Sequence, residues 1–442
     1  MDEKKALPPT ILVIFGVSGD LAQRYLLPAL LKINRNKKLP AEFHLVGISR
    51  QNLSVDKVLA DQSSLRAGAE IFQMDLGTPD DYIKLKERLA AIGSGFKATP
   101  QIIFYFAVPP VAVLPIIRHL GNSGLNDKNF NILLEKPFGV DLSSADDLIK
   151  ETAKHFKEEQ VYRIDHYLAK EMAQNITVFL GGNVLFRHVW NNDFISRIDI
   201  IASEKIDIEG RVHFYEQSGA LRDVLQSHLL QLAALVLMKP CTDLFDFREV
   251  PRHRLEALNQ LQLDGPVDKS VIAGQYEGYT SEVENSDSNT ETFVCTKLKS
   301  ADPRWSGVPI RLITGKALDQ KFTEIRVHFK KSKASEANRL TLRIQPREGI
   351  ELELWVKKPG YDHNLQQLPL DFNYDQYFGQ DLPDAYEQVI IDAMRGSQNL
   401  FAGSQEVLAS WRILEPVQQY WSMHPRHLKI YAKGSNYKDV LA

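Results

Sequence analysis

Apolar and polar positions change rhythm near the middle of the chain. Residues 11–16 (ILVIFG) form a continuous apolar run ending at glycine, the pattern of a parallel strand buried on both faces. The stretch LAQRYLLPALLKI after it has helical spacing. FHLVGIS (43–49), QIIFYFA (101–107) and FNILLE (130–135) repeat the apolar run, with helical stretches between them. This alternation predicts a doubly wound α/β domain of the Rossmann type over residues 1–160. Further on, ISRIDIIAS (195–203), VPIRLIT (308–314), TEIRVHF (323–329), LTLRIQ (340–345) and IELELWV (350–356) alternate or nearly alternate. Period-two alternation predicts half-buried antiparallel strands. Helices are expected at about 170–181, 219–238, 384–395 and 404–418. Residues 161–442 are therefore predicted to be an α+β domain whose large, mainly antiparallel sheet has one face covered by helices. The polar, acidic stretch 278–292 (GYTSEVENSDSNTET) reads as a mobile loop.

Bulk properties narrow the function. At 44% hydrophobic and 25% charged residues, the chain has the composition of an ordinary soluble globular protein. A net charge of -3 gives no basic footprint for nucleic acid or an anionic membrane, so any anion must be held by a local site. Cys241 and Cys295 are too few for a disulfide framework and lack metal-ligand spacing, and no metal is expected. MDEKKALPPT at the start has no apolar core of a signal peptide. The longest apolar run, Leu229 to Met238, contains Gln231 and falls far short of the roughly 20 residues that span a bilayer. A cytoplasmic location is the default expectation.

Candidate chemistry is densest in RIDHYLAKE (163–171). His166 and Lys170 are four apart and on a helix project from one side. An imidazole, the Tyr167 phenol and an ammonium at a helix start suit a phosphate dianion, while Asp165 faces elsewhere and can orient a different group. A surface helix with a chance charge cluster is the competing reading. Gly16-Val17-Ser18-Gly19-Asp20-Leu21-Ala22 lies between a strand and a helix, where amides and the helix dipole can hold a pyrophosphate. GxxGxxA is looser than GxGxxG, and a plain turn is the alternative. At the end of the second strand Ser49 and Arg50 stand where an NAD-selective site usually has an acid. A guanidinium there can pair with a 2′-phosphate, which favours NADP, although arginine can also stack on adenine and NAD stays open. Glu135-Lys136-Pro137 closes a strand at its carboxyl end, where ligands bind in open sheets. Ala107, Val108 and Pro109 end another strand and are expected to line the cofactor cleft. Asp223 and His228 are five apart, no simple i, i+4 pair, and the apolar run around them fits a core helix with a structural histidine equally well.

Nine ordered segments carry a resemblance. RIDHYLAKE resembles the RIDHYLGKE motif of the glucose-6-phosphate dehydrogenase family, and IFGVSGDLAQRYLLPAL (14–30) resembles that family's GxxGDLAxRxLxPAL opening. VGISRQ (46–51), FYFAVPP (104–110), LLEKPFG (133–139), RDVLQSHLLQL (222–232), WSGVPIRLITGKAL (305–318), PDAYE (383–387) and SWRILEP (410–416) follow in family order. The resemblance implies oxidation of β-D-glucose 6-phosphate at C1 to 6-phosphogluconolactone, with hydride transfer to NADP, in the oxidative pentose phosphate pathway. It implies that His228 is the general base, oriented by Asp165. His166, Tyr167 and Lys170 would hold the phosphate, and Glu204, Asp223 and Lys316 the sugar hydroxyls. Lys136, before a cis proline, would contact both cofactor and sugar. Lys321, where the family commonly has arginine, joins the substrate set. Gly16, Ser18, Gly19, Asp20, Leu21, Arg50, Ala107 and Pro109 would bind the cofactor. The second domain would also carry assembly into a homodimer or homotetramer.

The chain departs from the family at Ala169, where the motif has glycine, and at Tyr25, where many members carry a lysine that reaches the substrate. The 270–300 region is short and keeps only GQY (274–276). Two other readings fit part of the pattern. A related oxidoreductase acting on another hexose would not need His166, Tyr167 and Lys170. An inactive paralogue should have lost His228 or Asp165.

Overall fold

The computed structural model describes residues 6–241, 243, 246–331, 337–379, 382–424 and 426–442. The chain divides into two compact units. One is built from Met1–Gly139, Ser143–Ala169 and Pro383–Ser404, the other from Val140–Leu142, Lys170–Leu382 and Gln405–Ala442.

The apolar runs of the first unit become a parallel sheet. Its strands are β1 (Thr10–Phe15), β2 (Phe43–Ser49), β3 (Ala69–Gln73), β4 (Gln101–Phe106), β5 (Phe130–Leu134) and β6 (Val161–Ile164). They lie in the order β6-β5-β4-β1-β2-β3, with Phe401–Ala402 as an antiparallel edge strand on β6. β1 pairs parallel with both β2 and β4. Ile11 to Phe15 are essentially inaccessible, as a strand covered on both faces requires. The connections leave β1 in opposite directions, so the carboxyl ends of β1 and β4 flank the crevice where such sheets bind ligands. The late return of the chain supplies the helix Ala385–Arg395. An Asp384/Glu387 capping box starts it and left-handed Gly396 ends it. Val389, Ile390, Ala393 and Met394 share a core with Leu26, Leu30 and Tyr105. The strands β3 and β6 were not legible in the sequence, because AEIFQ is only half-buried and VYRI is four residues long.

The second unit is organised by a ten-stranded sheet. Along the sheet lie Leu365–Asn373, Gly349–Lys357, Arg339–Gln345, Phe322–Phe329, Ile195–Ser203, Ile310–Gly315, Phe293–Ser300, Val271–Tyr276 and Leu428–Tyr431, with Leu261–Leu263 paired to Phe293–Ser300 off that path. Pairing is antiparallel except between Ile195–Ser203 and Ile310–Gly315, and between Val271–Tyr276 and Leu428–Tyr431. Helix Glu171–Gly182 packs on strand Arg339–Gln345, and Leu221–Leu229 packs on strands Ile195–Ser203 and Ile310–Gly315. The expected helix at 219–238 is broken into three windings. Val212–Ala220 ends in a kink at Gly219, Leu221–Leu229 hydrogen-bonds i→i+5, and Leu230–Leu237 is an ordinary α-helix. The expected loop at 278–292 needs correction. It contains a short helix, Tyr279–Glu282, and buries Tyr279, Glu291 and Thr292. Polar composition does not mark it as solvated, because its buried side chains bond to neighbouring elements. Among the described residues no helix is long and apolar enough to cross a membrane.

Candidate active site

The loop after β1 presses closely onto the end of β4. Gly16 has φ +82°, and a Cβ on it would lie 2.4 Å from the carbonyl oxygen of Ala107, at the end of β4. Only glycine permits this approach. The amides of Gly16 and Val17 both donate to the Ile48 carbonyl at 3.3 Å, and the Gly19 amide donates to the Gly16 carbonyl at 2.9 Å. The helix that follows winds wide over Ala22–Leu26 before becoming regular at Leu27–Arg35. Ser18 is exposed, and the Asp20 carboxylate pairs with Arg24 at 2.7 Å on the surface. Leu21 packs against the core of this unit. Pro109 caps the helix Pro110–Asn122 that leaves β4. Arg50 is exposed at the end of β2, and its carbonyl is pinned by the Gln73 amide at 3.1 Å.

Lys136 leaves β5 through a cis bond to Pro137. Beside it, Tyr105 of β4 donates to the Glu135 carboxylate at 2.5 Å. Burial pushes the Glu135 carboxyl up to about 7; the Tyr105 bond and the Lys136 charge oppose the shift, and the Asp165 charge adds to it. Tyr105 is itself held well above its ordinary range by burial and then by Glu135. Tyr386 is pushed up by burial and by the same carboxylate, and its ring stacks on Tyr25 at 5.4 Å.

RIDHYLAKE corrects a local expectation. Residues 163–164 finish β6, residues 166–169 form turns, and the helix begins only at Glu171. His166 and Lys170 are therefore not one face of one helix. Asp165 is the physical reason. Its Oδ1 accepts from the Tyr167 amide at 3.0 Å and its carbonyl accepts from the Leu168 amide at 3.0 Å, closing a turn that competes with the helix. The His166 and Tyr167 rings lie 5.0 Å apart. Arg163 is buried on Glu158 at 2.8 Å, an internal brace of this unit. Ala169 is buried in the apolar core, where its methyl fills space among side chains. Lys170 stands in the second unit as the residue before helix Glu171–Gly182, its carbonyl accepting from the Gln174 amide at 3.0 Å.

In the second unit, i→i+5 winding brings Asp223 and His228 to neighbouring turns, a relation that their spacing of five concealed. His228 is buried, at 3% exposure. At the ends of two adjacent strands, Lys316 forms an ion pair with Glu204. The Lys316 ammonium also lies 5.2 Å from the centre of the Tyr215 ring. The Tyr215 hydroxyl is buried without a hydrogen-bond partner among the described residues. Burial holds it far above its ordinary pKa, reinforced by the charges of Asp223, Glu291 and Glu204. Lys321 is exposed just before strand Phe322–Phe329. Tyr105, Tyr215 and Glu291 escaped the sequence reading, and Glu135 entered it only as part of Glu135-Lys136-Pro137. Only Glu135, inside the EKP segment, carried a signal. Among the described residues no group of three or more His, Cys, Asp or Glu could hold a metal.

Family comparisons agree with this architecture. The model for the NAD binding domain of glucose-6-phosphate dehydrogenase matches residues 13–175, and the model for its C-terminal domain matches residues 177–439. The chain belongs to the glucose-6-phosphate dehydrogenase family. It is 34% identical to glucose-6-phosphate 1-dehydrogenase of Chlamydia muridarum over 97% of this chain and 94% of that one. It is 35% identical to the enzyme of Mycolicibacterium smegmatis over the same shares. A solved glucose-6-phosphate dehydrogenase in complex with its substrate glucose-6-phosphate superposes with a TM-score of 0.92 at 29% identity, covering 98% of this chain and 96% of that one. The family's two halves thus fit an α/β nucleotide-binding fold followed by a large mainly antiparallel sheet.

Proposed function

We propose that this protein is a glucose-6-phosphate 1-dehydrogenase that oxidises β-D-glucose 6-phosphate at C1 to 6-phosphogluconolactone and prefers NADP as acceptor. The observation that carries the reading is the span of the likeness: relatives bearing that name match 97% of this chain, through both units.

The residues fit a dinucleotide. Gly16 lets the loop after β1 close onto the Ala107 carbonyl, which a Cβ would meet at 2.4 Å, at the β1–β4 crevice and beside a helix start. Arg50, exposed at the end of β2 and without an acid beside it, supports pairing with a 2′-phosphate. Gly16, Ser18, Gly19, Asp20, Leu21, Arg50, Ala107, Pro109 and Lys136 form the cofactor set. When bound, the nicotinamide accepts a hydride at C4.

The chain's own residues do the rest. His228 takes the proton of the C1 hydroxyl at a ring nitrogen, and the electron pair released onto oxygen drives the C1 hydride outward. Asp165 is assigned to orient that imidazole. Lys136 and the Glu204–Lys316 pair, with Asp223 and Lys321, offer donors and acceptors to the sugar. His166, Tyr167 and Lys170 are assigned to the phosphate. Exposed apolar side chains on the edge strand, Leu365, Leu368 and Leu370, and on the strand beside it, Leu354, support pairing of copies into a homodimer or homotetramer.

The test is nicotinamide absorbance with glucose 6-phosphate and NADP or NAD in parallel. Fast reduction of NADP over NAD is expected. Equal rates would remove the cofactor preference, and no reduction with glucose 6-phosphate would remove the reading.

A further inference from the structure

Glu291 and Thr292 come just before strand Phe293–Ser300 and are buried, at 2% and 0% exposure. From this one place they touch two segments that carry candidate site residues. The Glu291 carbonyl accepts from the Ala220 amide at 2.9 Å, and its Oε1 accepts from the Leu221 amide at 3.0 Å. Ala220 is the residue before the wide-wound helix and Leu221 its first, and their amides are donors left over at a helix start. The other carboxylate oxygen pairs with Arg426, whose guanidinium also donates to the Asn289 carbonyl at 3.0 Å and covers the Trp421 ring at 4.5 Å. Gly219 completes the joint. Its φ of +60° breaks the preceding helix, and a Cβ there would lie 2.5 Å from Glu291 Oε1.

The next residue reaches the other way. The Thr292 carbonyl accepts from the Lys316 amide at 2.9 Å. Its hydroxyl accepts from the Tyr276 amide at 2.9 Å and meets the Tyr431 hydroxyl at 2.9 Å, which in turn donates to the Lys316 carbonyl at 2.8 Å. Both backbone groups of Lys316 are held from this point, so the helix bearing Asp223 and His228 and the strand end bearing Lys316 share one buried bracket.

We propose that Glu291 is a positioning residue of the reaction centre, its carboxylate setting the rotation of the helix that carries Asp223 and His228 relative to Lys316. The inference rests on the roles proposed above for His228 and Lys316. Burial pushes the Glu291 carboxyl up, while the Arg426 charge, the Leu221 amide and the Arg222 charge oppose that shift.

The test uses the full chain with Glu291→Ala, Glu291→Gln and Gly219→Ala, each scored per folded active site by NADPH-binding stoichiometry. Glu291→Ala removes the acceptor for Leu221. Its kcat should fall on the order of 10–100-fold, as misplacement of reacting groups does, with the KM for NADP held within about two-fold. Glu291→Gln keeps an oxygen for the Leu221 amide and should recover most of that loss. Gly219→Ala displaces the carboxylate without deleting it, so its kcat should fall like that of Glu291→Ala; it carries the test if the alanine variant at 291 does not fold. Wild-type kcat per folded site in Glu291→Ala or Gly219→Ala overturns the proposal. So does an equal loss of kcat per folded site in Glu291→Ala and Glu291→Gln. His228→Asn, run alongside, separates the two failures: full activity there means the assigned centre is wrong, whatever Glu291 does.

Discussion

The glycine turn after β1 and the helix start at Leu221 solve the same problem in opposite ways. Each must present polar groups at an element's end while the backbone stays buried and satisfied. In the first unit, backbone alone does it. Parallel register puts the ends of β1, β2 and β4 side by side, and Gly16 lets the loop press onto the Ala107 carbonyl with amides bonded to Ile48. In the second unit, side chains from far along the chain are needed. The kink at Gly219 and the i→i+5 winding leave amides that Glu291 takes up, and Arg426 takes up Glu291. A site at a sheet's switch point is a property of topology. A site on an irregular helix must be braced residue by residue.

That contrast can be broken or sharpened, beginning with the largest effect. His228→Asn should lower kcat by roughly 10²–10⁴-fold with little change in the sugar-phosphate KM, the range for loss of a general base. Steady-state kinetics check it, and an unchanged kcat would make the wide-wound helix purely structural. Gly16→Ala should destabilise by about 1–3 kcal/mol and weaken NADP binding, because a methyl must displace the Ala107 carbonyl at a positive φ. Denaturant unfolding with and without NADP measures both, and wild-type values for both would deny the backbone solution. Arg50→Ala should weaken NADP more than NAD by about 1–3 kcal/mol, the worth of a charged hydrogen bond. Equal losses from the two titrations would detach Arg50 from the 2′-phosphate.

The smallest effect concerns Glu135. Its carboxyl titrates near 7 in the fold against 4.5 ordinarily, so the folded protein holds that proton more tightly than the unfolded chain. Its contribution to stability is complete below about 4.5 and is lost as pH rises through about 7. Glu135→Gln, neutral throughout, should show a Tm that changes less across that window. An unaltered Tm profile from thermal scans would mean that the Tyr105–Glu135 pair titrates elsewhere.

Legibility followed the range of the forces involved. Apolar runs at 11–16, 43–49, 101–107 and 130–135 were legible as strands, because burial on both faces writes itself into consecutive residues. Short β6 and half-buried β3 left no such trace. The shared helical face expected of His166 and Lys170 failed because one side chain, Asp165, captured the Tyr167 amide. The acidic stretch 278–292 looked solvated because nothing in it announces that Glu291 meets Leu221 and Arg426.

The sequence by itself determined the family, the α/β-then-antiparallel order of the two folds, and the residue types available for chemistry, since local periodicity and motif spacing are properties of neighbours along the chain. Tertiary structure alone decided that Asp223 and His228 fall on adjacent turns, that Lys316 is paired to Glu204, and that Glu135 and Tyr105 share a buried bond. Those relations join residues distant in sequence, or depend on a helix wound against its usual pitch. They follow from which groups burial brings together and leaves in need of a partner.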